Sequence, residues 1–337
     1  LRPYHAPKGK QGYEAWWNLP ALPKLNVSTP AVREFLLEVA THWIEFGADG
    51  WRLDVPTEID DDLFWQEFRD RVKAANPEAY IVGEIWHDAS HWLKGDQFDA
   101  VMNYPVTRAC LGFFVGDELE RKEIARSGYQ EIDILDARGF SKEIDRVLQL
   151  YPRPVTEVQF NLLGSHDTPR FKTLARGDNS SYRLATLFQM TYPGAPCIYY
   201  GDEIGMEGRH DPDCRRGFPW DEKHWDHELR ADVQRCIALR KHYPALRRGD
   251  LGWLLAEEGI VAYARQLGAE VVVVVLNNNR KPITLDLPVE GCLAEGARVQ
   301  DAWQGGSLMT VHGGKIEGLH IPGRSGTVLV AEEGMFG

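Results

Sequence analysis

Between residues 49 and 203 the chain alternates strand-like and helix-like stretches at steps of about thirty residues, a rhythm few folds accommodate. "ADGWRLDV" predicts a buried strand from Asp49 to Val55. "AYIVGEIW" predicts one ending near Glu84, and "FDAVMNYP" one near Phe98 to Tyr104. "VQFNLLGSHD" and "GAPCIYYGDE" are the next two. Of the stretches between, "STPAVREFLLEVATHWIEF" spaces Val32, Phe35, Leu36, Val39, Trp43 and Phe46 as one helical face. Ser28 is its expected N-cap, Pro30 suits its first turn and Gly47 closes it. A second helix is expected from Asp61 to Ala75, and a mostly helical stretch runs to Leu150. The alternation predicts an α/β architecture of βα units around a parallel sheet. A closed (β/α)8 barrel takes eight strands and typically ~250 residues. The five strands seen fit its later part, about strands 4–8, with the first three expected before Leu1.

The pattern changes near Asp250. After the helix "RADVQRCIALRKHYPAL", the runs "GIVAYARQLGAEVVVVVLNNNRKPITLDLP" and "GLHIPGRSGTVLVAEE" are short, β-rich and broken by Gly, Asn and Pro, which predicts an all-β sandwich. The expected organisation is a loop segment over 1–27, barrel units over 28–248 and a β-sandwich domain over 249–337.

Four of the predicted barrel strands end in charged or polar side chains. The first delivers Arg52 and Asp54, the second Glu84 and Trp86, the fourth His166 and Asp167, and the fifth Asp202 and Glu203. In a parallel barrel all strand C-termini reach one face, and Arg52 and Asp54, two residues apart, point the same way. A single carboxylate here reads as a helix cap or a loop charge. Asp54, Glu84 and Asp167 together, interleaved with Arg and His, read as chemistry, because unpaired carboxylates are costly at such positions. That chemistry is glycoside hydrolysis: one carboxylate attacks the anomeric carbon and a second protonates the leaving oxygen. An Arg beside Asp54 favours an ionised attacker, and an indole beside Glu84 is expected to desolvate the acid. His166 and Asp167 would hold sugar hydroxyls. Gly164 is expected to give the turn before them room.

A net charge of −12 argues against a nucleic-acid or anionic-membrane partner and fits a neutral substrate. The five cysteines are odd in number and scattered, which argues against a disulfide framework or zinc site, and no run of eighteen apolar residues spans a membrane.

These motifs together resemble the α-amylase family, glycoside hydrolase family 13. "GADGWRLDV" is similar to its strand-four nucleophile motif, "VGEIW" to its strand-five acid motif, "LLGSHDTPR" to strand seven and "GAPCIYYGDEIGM" to strand eight. The resemblance implies Asp54 as nucleophile, Glu84 as general acid/base and Asp167 as transition-state stabiliser, with Arg52 and His166 completing the −1 subsite. "LPKLN", "GEIWHDA" and "GDQFDAVMNYP" resemble the neopullulanase, cyclomaltodextrinase and maltogenic amylase group, and "HDPDCRRGFPW" its loop after strand eight, which implies sugar contacts from Asp211 and Arg215. Tyr104 matches an aromatic near the active site, and Trp86 is expected to contact substrate. The implied activity is retaining cleavage of α-1,4 or α-1,6 glucosidic bonds in cyclodextrins, pullulan or short maltodextrins, with transglycosylation. The alternatives are an amylase-like protein without catalysis, or a fragment inert without an N-terminal half. Where the group often has Val-Ala-Asn-Glu after the nucleophile, this chain has Val55-Pro56-Thr57-Glu58, which bears on bond preference. The family's strand-three motif is not present. The resemblance further implies no cofactor within this chain, calcium only in a preceding portion, a homodimer in the full-length form and a cytoplasmic location.

Overall fold

The computed structural model describes residues 12–129, 131–306 and 308–331. Residues 1–11 of the loop segment expected over 1–27 therefore lie outside the described residues. The chain divides into two compact units, Leu1–Met102 and Asn103–Gly337.

In the first unit, helix α1 (Pro30–Phe46) precedes strand β1 (Gly50–Leu53), and helix α2 (Asp62–Ala75) precedes β2 (Tyr80–Gly83) and the short β3 (Ala100–Val101). The order β1-β2-β3 is parallel throughout, as the alternation predicts. Helix α1 is capped at Thr29, one residue later than expected: the Thr29 carbonyl accepts from the Val32 and Arg33 amides, and Pro30 fills the first turn. Gly47 ends the helix at φ 121, a conformation costly for a side chain. The buried face of α1 is Val32, Leu37, Ala40 and Ile44, whereas Phe35, Trp43 and Phe46 stay exposed, so the face is rotated from the expected stripe. Helix α2 starts where Asp61 accepts from the Phe64 amide at 2.9 Å, and it buries Phe64, Trp65, Phe68 and Val72.

In the second unit, helix α3 (Tyr104–Cys110) starts where a strand end was expected, since Pro105 favours a helical first turn. The helix Ala137–Leu148 leads to β4 (Phe160–Leu162), and the helix Asn179–Thr191 to β5 (Ala195–Cys197). Strands β4 and β5 pair in parallel, Phe160 with Ala195 and Leu162 with Cys197.

After the helices His227–His242 and Pro244–Arg248, eight strands follow among the described residues. They are β6 (Asp250–Glu257), β7 (Ile260–Leu267), β8 (Glu270–Asn277), β9 (Ile283–Pro288), β10 (Arg298–Asp301), β11 (Met309–His312), β12 (Lys315–Ile321) and β13 (Ser325–Ala331). The expected sandwich of two sheets is instead one antiparallel sheet, ordered β6-β7-β8-β13-β10-β11-β12-β9, whose end strands β6 and β9 come into contact. Alternate residues Ile260, Ala262 and Ala264 of β7 and Val271, Val273 and Val275 of β8 point into its core. The residues between them are buried as well, because β7 and β8 also back onto the helix Pro244–Arg248. Burial on both faces explains the unbroken run "VVVVV". Two buried arginines fasten this junction through backbone carbonyls. Arg240 donates to the carbonyls of Met190, Tyr192, Gly194 and Leu246, and Arg265 to those of Thr191, Leu246 and Gly249.

Candidate active site

Strand register places the first pair of carboxylates. Leu53 pairs with Gly83, so Asp54 and Glu84 emerge at the same level from adjacent parallel strands, and the Glu84 amide still donates to the Leu53 carbonyl at 2.9 Å. The chain then turns sharply. Val55 sits at φ 38, ψ 54, a left-handed conformation strained for a β-branched residue and again disfavoured before Pro56. That turn aims the Val55 amide at Glu84 Oε2, 3.3 Å away. Strain of this kind persists only where surrounding contacts enforce it, as at functional sites.

Arg52 spans the two acids. Its Nη1 lies 2.5 Å from Asp54 Oδ1 and its Nη2 3.1 Å from Glu84 Oε2. Trp86 Nε1 donates to Glu84 Oε1 at 3.3 Å. The indole therefore serves Glu84 as a hydrogen-bond donor, not solely as the apolar wall expected. The two carboxyls differ in setting: the Asp54 side chain is 79% exposed and that of Glu84 6%. An open carboxylate can approach a ligand carbon, while a buried one held at both oxygens is positioned for proton transfer.

The second unit carries the other group. After β4, the Ser165 amide donates to Thr168 Oγ1 at 2.9 Å and the Asp167 amide to Ser165 Oγ at 3.2 Å, which fixes a tight turn. His166 Nε2 lies 3.0 Å from Asp167 Oδ2, and Arg215 Nη2 3.0 Å from Asp167 Oδ1. Arg215 Nε also reaches Asp211 Oδ1 at 2.7 Å and donates to the His166 carbonyl at 2.9 Å. Burial works to lower the Arg215 pKa, but Asp211 and Asp167 outweigh it and raise it, so the guanidinium stays charged. The structure thus brings His166, Asp167, Asp211 and Arg215 into one hydrogen-bonded cluster.

Tyr104 departs from expectation. It is fully buried, with its hydroxyl 3.1 Å from Ser165 Oγ, so its phenol backs the turn and presents no face to a ligand. The room expected of Gly164 is not required by the turn: a Cβ there would meet only ordinary contacts, Asp202 Oδ2 at 3.4 Å and Thr168 Oγ1 at 3.7 Å. Behind the turn lies a buried pair, of which Asp202 is one of the expected strand-end carboxylates and Arg170 is not singled out by the sequence. Arg170 Nη1 contacts Asp202 Oδ1 at 2.7 Å, and its guanidinium stacks on the rings of Tyr199 and Tyr200. Burial pushes the Asp202 carboxyl up to about 7 against the pull of Arg170. A second support is Glu123, whose Oε2 accepts from the His210 amide at 3.1 Å and contacts His210 Nδ1 at 2.9 Å, beside Asp211. The strand-end position of Asp202 and the adjacency of His210 to Asp211 are the sequence signals for these supports.

Among the described residues, no three His, Cys, Asp or Glu side chains are grouped to hold a metal ion, and no helix is long and apolar enough to cross a membrane. A cavity of about 860 Å³ lined by Glu120, Arg126, Arg176 and Arg209 contains none of the candidate residues.

Comparison with known proteins bears on both parts of the chain. Residues 8–249 match the family described as "Alpha amylase, catalytic domain", and residues 253–329 match "Neopullulanase-like, C-terminal domain". A cyclomaltodextrinase of Geobacillus thermopakistaniensis is 46% identical over 83% of this chain and 45% of its own length. Neopullulanase 2 of Thermoactinomyces vulgaris is 45% identical over 81% of this chain and 44% of its own. The chain thus spans about half the length of the curated relatives it matches. A crystal structure of a Thermus thermophilus protein superposes with a TM-score of 0.94 at 46% identity, covering 98% of this chain and 70% of that one. The native debranching enzyme of Nostoc punctiforme gives 0.87 at 41% identity over 98% and 68%.

Proposed function

The chain belongs to the α-amylase family, and on that premise we propose that it carries the catalytic carboxylates of a retaining glycosidase acting on α-glucans. The observation that supports this most is the single Arg52 guanidinium spanning Asp54 and Glu84 at the ends of paired strands. Asp54 attacks the anomeric carbon as the glycosidic bond breaks, forming a covalent glycosyl ester. Glu84 gives its proton to the departing oxygen. Glu84, now a carboxylate, takes a proton from water as that water attacks the ester, and Asp54 leaves as a carboxylate. Attack by a sugar hydroxyl in place of water gives transglycosylation.

The remaining roles are binding roles. Asp167 and His166 accept and donate to hydroxyls of the reacting sugar, and Arg215 and Asp211 hold that pair in place while contributing sugar contacts of their own. Trp86 contributes a sugar contact and keeps Glu84 oriented. Tyr104 acts from behind through Ser165. The substrates proposed are cyclodextrins, pullulan and short maltodextrins, cleaved at α-1,4 or α-1,6 bonds, as the names of the relatives suggest. We further propose that the parallel strands are the later strands of a (β/α)8 barrel, that calcium is not held by this chain, and that the full-length form is a cytoplasmic homodimer. A relative named "Intracellular maltogenic amylase" supports the location.

The test is turnover of maltotriose, β-cyclodextrin and pullulan by the wild type and by Glu84→Gln. Loss of the general acid should cut turnover about 10²- to 10⁴-fold while sugar binding survives. Equal turnover in both proteins would overturn the assignment.

A further inference from the structure

We propose that the stacked indoles of Trp16 and Trp17 form an accessory platform for a glucosyl ring of an α-glucan chain; the choice of ligand rests on the function proposed above. Trp17 is 74% exposed, so it is not a core residue. Trp16 lies under it with ring centroids 4.4 Å apart and planes 10° from parallel. One face of Trp17 is thereby occupied and the opposite face is open to solvent.

The conformation that presents this ring is costly. Trp17 is at φ 49, ψ 27 and Asn18 at φ 58, two successive left-handed residues that are not glycine. Trp16 Nε1 is buried without a hydrogen-bond partner among the described residues. A loop free to relax would adopt neither feature.

What holds the loop is a dense base. Ala15 and Pro23 form an antiparallel bridge. The Trp16 amide donates to the Leu22 carbonyl at 2.9 Å, the Lys24 amide to the Glu14 carbonyl at 2.9 Å and Tyr13 Oη to the Pro20 carbonyl at 2.7 Å. Lys24 Nζ then pairs with Glu14 and with Glu58, each at 3.0 Å. Glu58 closes the turn that follows Asp54, so the platform is tied to the segment bearing the proposed nucleophile.

A rigid, exposed, amphipathic ring at low entropic cost is suited to a neutral ligand with flat apolar faces and hydroxyl edges, which describes a pyranose. Asn18, also exposed, supplies an amide beside the ring, and exposed Leu19 and Leu22 extend the apolar surface. A phosphorylated or nucleic-acid ligand fits poorly, since no cation but the paired Lys24 lies in the loop 13–26.

The experiment is calorimetric titration of the chain with maltoheptaose, using wild type, Trp17→Ala, Trp17→Gly and Glu84→Gln, with thermal melts of each. Trp17→Ala should weaken binding about five- to tenfold. Trp17→Gly should lose the same affinity without a lower Tm, because glycine adopts positive φ freely. Glu84→Gln should bind as the wild type does. Unchanged affinity in both Trp17 variants would overturn the platform. So would a change in sedimentation behaviour with sugar affinity intact, which would mark the patch as a protein contact. Unchanged turnover in Glu84→Gln would instead count against the catalytic assignment and leave the binding result standing.

Discussion

Replacing Asp202 by Asn probes the support beneath the His166–Asp167 turn. Asp202 is 5% exposed and Arg170 fully buried, and their contact is 2.7 Å. Burial favours the neutral carboxyl and Arg170 opposes it; the net effect raises Asp202 from 3.8 to about 7. A shift of that size corresponds to roughly 4 kcal/mol against the charged form. The folded protein binds this proton more tightly than the unfolded chain, so the stability linked to Asp202 is full below about pH 4 and is lost as pH rises to about 7. Asn cannot titrate. In urea unfolding at pH 5 and pH 8, the stability of D202N relative to wild type should therefore improve by roughly 3 kcal/mol between the two. Parallel pH dependences would refute the reasoning, because they would mean that Arg170 keeps Asp202 ionised throughout.

Arg265→Met should destabilise the chain by about 3 kcal/mol, measured by denaturant unfolding, since it strands the buried carbonyls of Thr191, Leu246 and Gly249. Glu123→Gln should raise KM severalfold with a smaller effect on kcat, because Glu123 anchors His210 beside Asp211. Burial works to raise the Glu123 carboxyl, but His210 outweighs it and holds it below the ordinary 4.5. Its stabilisation is therefore full above that value and fades as pH falls through the lowered one, a loss the Gln variant should lack in acid melts.

Much of this site was legible because parallel strands announce themselves twice, by apolar runs and by the charged residues that end them. Asp54, Glu84, His166 and Asp167 all lie at the ends of predicted strands, and register accounts for the first pair. Boundaries were less legible. The first strand was expected to reach Val55, but pairing stops at Leu53 and Val55 turns left-handed, a conformation that a β-branched residue does not advertise. In α1 the apolar residues exceed what one face can bury, so periodicity alone did not separate Leu37 and Ile44 from Phe35 and Phe46. The C-terminal strands alternate as in a sandwich, and only the pairing partners show one curled sheet. Tyr104 illustrates a different limit, since an aromatic near a site can equally stand behind it. The buried contacts of Arg170 with Asp202 and of Arg265 with the Thr191, Leu246 and Gly249 carbonyls join residues apart in sequence, which no local pattern encodes.

The proposed mechanism requires that Asp54 form a covalent bond to sugar with Glu84 as its partner. Incubating the chain with a 5-fluoro-α-glucosyl fluoride and mapping adducts by peptide mass spectrometry tests it directly. One fluoroglucosyl group is expected on the peptide carrying Asp54, absent in Asp54→Asn. An adduct on Glu84 or Asp167, or none on Asp54, would contradict it.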